Sequence, residues 1–392
     1  MEAYAFDLGL GEQERELVAT AQELVPTLRE MAAEQEAGTR IADALISRFR
    51  EAGLFRILQP KRWGGLEMHP SVFSEVQMIL AEGDLSTAWV YGVMGVHNFQ
   101  MALFDDRAAR DVWGEDDRQL IASTFQPGGV ATPVRGGYRF SGRWKFSSGV
   151  DHADWVFLGG SHEGEFLTCL VPSSDYEIVR TWDVFGLKAT GSQDVQVEDV
   201  FVPEYRVHRV SDGFRCDSPG NAVNTAPLYR VPFPQVFIRA ITSGCIGALQ
   251  GMLDCFVDYA ATRVSTVAGA TRNDPDAQAV CGEIMAEVDE MKSLLHRNYR
   301  ELLARAESGE PPPMALRMLG KYQAAAVPDR CLRLAHRLFQ CTGGSGIFAS
   351  QPFGRYYRDL ITARQHAASQ IQVVARSWGG VLLGQENKEW YL

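Results

Sequence analysis

Apolar residues in the first third of the chain recur at three- and four-residue spacings. Leu17, Val18, Ala21, Leu24 and Val25 form one such stripe, the signature of a helix with one buried face. From about Gly11 to Trp113 the pattern stays helical. It predicts a second helix over Ile41 to Ala52, stopped by Gly53, and a third over Pro70 to Glu82 with Pro70 as its first residue. Asp84 or Ser86 can cap the next, which runs toward His97. From Gln119 to about Tyr205 the period changes to two. GYRFSGRWKF alternates, and WVFLGG, FLTCLVP and VQVEDVFVP are short β-rich runs ended by Gly or Pro. Six or seven strands in this stretch predict a small sandwich or barrel. Prolines 219, 227, 232 and 234 with Gly220 mark a linker or surface excursion over 213–234. Four long helical patterns follow, Gln235 to Val264, Asp276 to Ser308, Pro313 to Cys341 and Pro352 to Gly379, and read as a bundle that continues across subunits.

The expected fold is therefore α+β and multidomain. It has an N-terminal helical domain over 1–118, a central β domain over 119–212, a Pro/Gly-rich loop over 213–234 and a C-terminal four-helix bundle over 235–392.

Composition narrows the function. The chain has 392 residues, of which 46% are hydrophobic and 22% charged, with a formal net charge of −11. The mix is that of a globular protein, and the acidic balance argues against a nucleic-acid partner or a polybasic membrane anchor. The longest uncharged helical stretch, Ala240 to Leu253, contains Thr242, Ser243, Gly244 and Gly247, and predicts no bilayer span. The start, MEAYAFDLGLGEQERE, lacks the basic and apolar regions of a signal peptide. Seven scattered cysteines without a C-x-x-C fit buried thiols in a reducing compartment, the cytoplasm, and no metal site is expected.

Three segments sit inside this α–β–α order: Gly142 to Gly160 (GRWKFSSGVDHADWVFLGG), Gly186 to Pro203 (GLKATGSQDVQVEDVFVP), and Gln340 to Phe348 (QCTGGSGIF) followed by Arg355 to Leu360 (RYYRDL). Together they resemble the acyl-CoA dehydrogenase fold over nearly the whole chain. Finer features resemble one branch of it. Leu58 to Pro60 with Trp63-Gly64-Gly65, Gly95-Val96-His97-Asn98, Ser147-Ser148-Gly149, Asp151-His152-Ala153 and His366-Ala367-Ala368 are similar to the oxygenase component of two-component flavin monooxygenases. Relatives of that type hydroxylate phenols such as p-hydroxyphenylacetate and steroid A-rings. There are two departures. Residues 365–368 read Gln-His-Ala-Ala, without the carboxylate base of the dehydrogenases, although Asp254 or Asp258 could substitute. Lys188-Ala189 stands where the monooxygenases more often carry Arg-Gly.

The resemblance implies reduced FAD or FMN supplied by a separate NAD(P)H:flavin reductase, O2 as co-substrate, a C4a-hydroperoxyflavin as oxidant, a small aromatic substrate and a homotetramer. It also implies roles. Ser148, or its neighbour Ser147, hydrogen-bonds flavin N5. His366 lies beside C4a. His97 meets the phenol oxygen as base or acceptor, and Ser123 makes a second hydrogen bond there. Arg263 reaches the flavin phosphates of a neighbouring subunit. From the residues themselves, Gly343, Gly344 and Gly346 can bring backbone N–H groups close to phosphate, and Thr190 and Ser192 can do likewise. Asp151 and His152 are expected to hold the turn, and Trp144, Trp155, Phe146 and Phe185 to be core or pocket wall. The alternatives are N- or S-oxidation by the same oxidant, an acyl-CoA dehydrogenase, and a binding protein that has kept the fold. No G-x-G-x-x-G follows a leading strand, so no nicotinamide site is indicated.

Overall fold

The computed structural model describes residues 9–265, 269–389 and 391. The chain opens with α1 (Glu12–Gly38), α2 (Asp43–Glu51), α3 (Pro70–Gly83), α4 (Leu85–Met101) and α5 (Asp106–Trp113). Pro70 begins α3 as expected. Of the two capping candidates for α4, Asp84 does the work, its carboxylate accepting from Thr87 N at 2.8 Å. Helix α4 carries no Asp, Glu, Lys or Arg and is mostly apolar, and all its residues are buried.

The β region forms β1 (Ile121–Val134), β2 (Gly137–Ser147), β3 (Trp155–His162), β4 (Glu165–Pro172), β5 (Glu177–Val179), β6 (Gln193–Pro203) and β7 (Val207–Arg209). All seven strands join one hydrogen-bonded sheet of order β5-β6-β2-β1-β3-β4-β7. The cause is β1. It pairs with β3 in parallel and with β2 antiparallel, and its register shifts between Thr124 and Gly129, so one bulged strand joins both halves. One face encloses a core with Phe140 and Trp144. Ile121, Trp155, Phe157 and Leu170 instead pack on Met101, Phe104 and Trp113 of the helices.

The segment read as loop is partly helical. It holds α6 (Val210–Arg215) and two single turns, Pro219–Ala222 and Pro227–Arg230, with Leu228 and Tyr229 buried. Helix α7 (Phe233–Thr262) follows, then the β8 (Val264–Ser265) and β9 (Gly269–Ala270) pair, α8 (Pro275–Glu307), α9 (Met314–Ala325), α10 (Val327–Thr342), α11 (Phe353–Arg364) and α12 (Ile371–Leu382). By length and composition α7 could cross a membrane, but 94% of its apolar window is buried inside the protein. Glycine makes this packing possible: a Cβ at Gly247 would lie 1.8 Å from Met78 O of α3. The N-terminal helices and the C-terminal bundle thereby share one continuous core.

Two of the four long C-terminal helices are broken. Pro328 cannot donate to the preceding turn, so 313–341 divides into α9 and α10. The 352–379 pattern divides into α11 and α12 at His366, which takes the extended conformation (φ −60°, ψ 144°).

Candidate active site

The buried helix α4 is the spine of the site. Trp89 lies near its start and His97 two turns on, about 12 Å along the axis at 1.5 Å per residue. Each organises its own group of side chains.

Around Trp89, the turn after β2 meets the loop before β6. Gly149 has φ +72° and its N–H donates to Thr190 O at 2.9 Å, which zips the two segments together. Asp151 pairs with Arg180, and His152 Nδ1 lies 3.2 Å from Asp43, so this pair does anchor the turn. A row of hydroxyls follows. Trp89 Nε1 donates to Ser148 Oγ at 3.2 Å, Ser148 Oγ lies 2.7 Å from Ser192 Oγ, and Ser192 Oγ lies 2.7 Å from Thr190 Oγ1. Ser147 is fully buried but its hydroxyl has no partner among the described residues. The His366 ring stands edge-on to Trp89 at 5.6 Å. Its Nδ1 accepts from Ala368 N at 3.0 Å. The ring is partly exposed, yet its dense surroundings contain no charged group that would hold a proton, and desolvation pushes its pKa down to about 4. The structure thus brings Ser148, Thr190, Ser192 and His366 together.

Around His97 the surroundings are aromatic. Phe125, Phe157 and Phe237 stand at 5.8, 5.5 and 6.2 Å. His97 Nδ1 lies 3.1 Å from Gln100 Oε1. Because a carbonyl oxygen can only accept, the ring proton sits on Nδ1, and Nε2 is a bare acceptor. Nε2 is buried and has no partner among the described residues. Burial pushes the His97 pKa down to about 3, so the ring is neutral. Ser123 is the register partner of Phe157, on the strand face that carries Ile121 and Phe125, which places it on the His97 side of the sheet.

A small cleft adjoins this group at Gln100 and Phe125. Gln100, Phe125, Thr168, His208, Phe214 and Phe233 contribute to its wall, and none of its described lining residues is charged. Arg317 lies just behind, stacked on Phe214, but it spends its N–H groups on Pro312 O, Phe214 O and Cys216 Sγ.

The third group lies apart. Arg263 caps the end of α7, donates to Thr271 Oγ1 at 3.0 Å, and would meet a Cβ at Gly343 at 2.7 Å. Gly343 itself has φ +60°. Gly244 of α7 touches Leu85, one turn before Trp89, and Arg263 is nineteen residues further on, about 28 Å. Within one chain, Arg263, Gly343 and Gly344 therefore do not join the Ser148 group.

Some expectations fail. Phe146 and Phe185 are not core: they are 57% and 54% exposed, Phe146 with a φ of +66°. Asp254 pairs with Arg29 and Gln250, and Asp258 is exposed. Sequence reasoning missed Trp89, Gln100 and Asp359. Gln100 was findable, since it lies three residues from His97 on one helix face. Asp359 reaches across from α11 to accept Leu187 N at 2.6 Å, a contact between segments far apart in the chain.

The residues fit a flavin: a buried hydroxyl row, a neutral histidine beside it and, further along α4, an unpartnered acceptor whose neighbours Gln100 and Phe125 contribute to the wall of an aromatic cleft. Comparison with known proteins agrees. The family described as "Acyl-CoA dehydrogenase, C-terminal domain" matches residues 240–371. The chain is 36% identical over 353 residues to the flavin-dependent monooxygenase, oxygenase subunit HsaA, of Rhodococcus jostii, covering 88% of this chain and 92% of that protein. It is 30% identical to the FADH2-dependent resorcinol hydroxylase, oxygenase component, of a Rhizobium species, covering 96% of each. The crystal structure of 3-HSA hydroxylase from Rhodococcus sp. RHA1 superposes with a TM-score of 0.92 at 34% identity, over 96% of this chain and 99% of that one. Built on the acyl-CoA dehydrogenase scaffold, the chain belongs to the oxygenase components of the two-component flavin-dependent monooxygenases.

Proposed function

We propose that this oxygenase hydroxylates an uncharged phenol, single-ring or polycyclic, with reduced FAD or FMN received from a separate NAD(P)H:flavin reductase. The observation that carries the substrate reading is the bare, buried Nε2 of His97 beside a cleft with no charge among its described lining residues. A phenol O–H can donate to that nitrogen. A carboxylate in the same cleft would be desolvated without a cation to meet it, at a cost of several kcal/mol.

Bound reduced flavin supplies the electrons that activate O2 for transfer to an electron-rich ring carbon. The chain supplies the rest. Ser148, backed by Ser192 and Thr190, holds the flavin at N5, and His366 presents a neutral ring next to it. His97 fixes the phenol through its oxygen, Ser123 lies on the same side for a second hydrogen bond, and the surrounding phenylalanines exclude water. The separation of Arg263, Gly343 and Gly344 from Ser148 supports a site completed by a second copy of the chain, in keeping with a homotetramer. Seven free cysteines are in keeping with a reducing compartment such as the cytoplasm.

The test is turnover of the purified chain with a flavin reductase, NAD(P)H and O2 against matched phenols with and without a carboxylate. Product is expected at least ~10-fold faster from the neutral phenols. A preference for the carboxylates overturns the substrate reading. Oxidation of amines or thiophenes but no phenol overturns the role of His97.

A further inference from the structure

The hydroxyl row behind Ser148 has a fixed direction, and we infer that this direction makes Ser148 an acceptor only, so that Trp89, Ser192 and Thr190 are positioning residues that select the reduced state of the flavin. The inference rests on the proposed place of Ser148 at flavin N5.

The direction follows from proton counting. A hydroxyl has one hydrogen and two lone pairs. The row ends at Leu187 O, which can only accept, and Thr190 Oγ1 lies 2.8 Å from it. Thr190 therefore spends its hydrogen there. At 2.7 Å from Thr190 Oγ1, Ser192 must be the donor of the next bond. Ser148, 2.7 Å from Ser192, must donate in its turn. Trp89 Nε1, which can only donate, occupies one lone pair of Ser148 Oγ. What Ser148 has left is one lone pair and no hydrogen.

The far end of the row is held in place. Leu187 has φ +52°, a conformation that costs a side-chain-bearing residue energy, and its N–H is fixed by Asp359 Oδ1 at 2.6 Å. The other side-chain group nearby, Trp182 Nε1, is divided between Lys188 O at 3.1 Å and Leu187 O at 3.3 Å, and it is also a donor. Leu187 O also receives Thr190 N at 3.2 Å, but the Thr190 hydroxyl at 2.8 Å is the nearest of its donors and keeps its hydrogen there.

Flavin N5 carries a hydrogen when the ring is reduced and a bare lone pair when it is oxidised. An acceptor-only oxygen bonds the first and faces the second lone pair to lone pair. A buried mismatch of this kind is worth about tenfold in affinity.

The experiment measures the affinities of the full-length chain for oxidised FAD and FMN, by fluorescence quenching, and for the same flavins reduced anaerobically with dithionite. The midpoint potential of the bound flavin is read alongside. The wild type is expected to favour the reduced form. Thr190→Val removes the acceptor at the end of the row, so the Ser192 hydrogen can turn to Ser148 and the Ser148 hydrogen can reach oxidised N5. The preference should fall about tenfold, a drop of about 30 mV in midpoint potential. Ser192→Ala should do the same by a separate route, and Thr190→Ser, which keeps the hydroxyl, should retain the wild-type ratio. If Ser148→Ala moves neither affinity, Ser148 is not at N5 and the underlying reading falls. If Ser148→Ala moves the ratio while Thr190→Val and Ser192→Ala do not, the flavin site stands and the directional row is overturned. Loss of the preference in Thr190→Ser as well would make the effect one of packing and also overturns it.

Discussion

Replacing His97 tests how the phenol is handled. A phenol loses its proton near pH 10, and His97 holds one only below about pH 3. Moving the proton to Nε2 before the reaction would be uphill by about seven powers of ten, roughly 10 kcal/mol. That is too large for a preliminary step, so on the proposed reading His97 starts as a neutral acceptor and would take the phenol proton on Nε2 only as the new C–O bond forms. His97→Leu then removes one neutral hydrogen bond in a buried site, about 1–2 kcal/mol, or roughly 5- to 30-fold in substrate affinity. His97→Gln keeps an acceptor and should recover much of the loss. The assay is product formed per flavin oxidised, with released hydrogen peroxide counted in parallel, from pH 5.5 to 8.5. His97→Leu should oxidise flavin with little product, and the wild type should show no change near pH 6.5 that is traceable to this residue. A limb at that pH in the wild type, absent in His97→Gln, would refute the neutral-acceptor account.

Two further outcomes are expected. Gly149→Ala combines a φ of +72° with a Cβ 2.9 Å from both Val90 Cγ1 and Met94 Sδ; urea unfolding should show a loss of about 2–3 kcal/mol, and a loss under ~0.5 kcal/mol would count against the tight seat of this turn on α4. Acid should unfold the protein early. Burial lowers His97 to about 3 and His69, His152, His208 and His366 to about 4, so below pH 6.5 the unfolded chain binds protons the folded one refuses. The stabilisation is complete above pH 6.5 and is lost as pH falls, about 5 kcal/mol for His97 alone by pH 3. Asp359, raised to about 8, and Glu82, raised to about 7, act the opposite way, but the histidines outnumber them. An unchanged melting temperature between pH 7 and 4.5 would contradict this.

Periodicity carried most of the architecture. The spacing of Leu17, Ala21 and Leu24, the placement of Pro70 and Asp84, and the switch to period two after Gln119 are local properties, and local rules found the α–β–α order. They failed where a distant partner decided the outcome. No local signal says that β1 shifts register at Thr124 to Gly129 and joins two halves into one sheet. The break at His366 carries no proline or glycine either.

The site divides the same way. The resemblance to a known family, carried by short motifs, was what singled out Ser148, His97 and His366 as candidates. Their protonation states and the direction of their hydrogen bonds were not visible in the string of letters. Those depend on Gln100 turning its carbonyl to His97, on Trp89 donating to Ser148, and on Asp359 fixing Leu187 from 172 residues away. The sequence by itself determined which chemical groups are present and the order of helices and strands. Only the tertiary structure decided which groups are desolvated and which lone pairs are left open, because desolvation and hydrogen-bond saturation are set by neighbours the chain brings together only when folded.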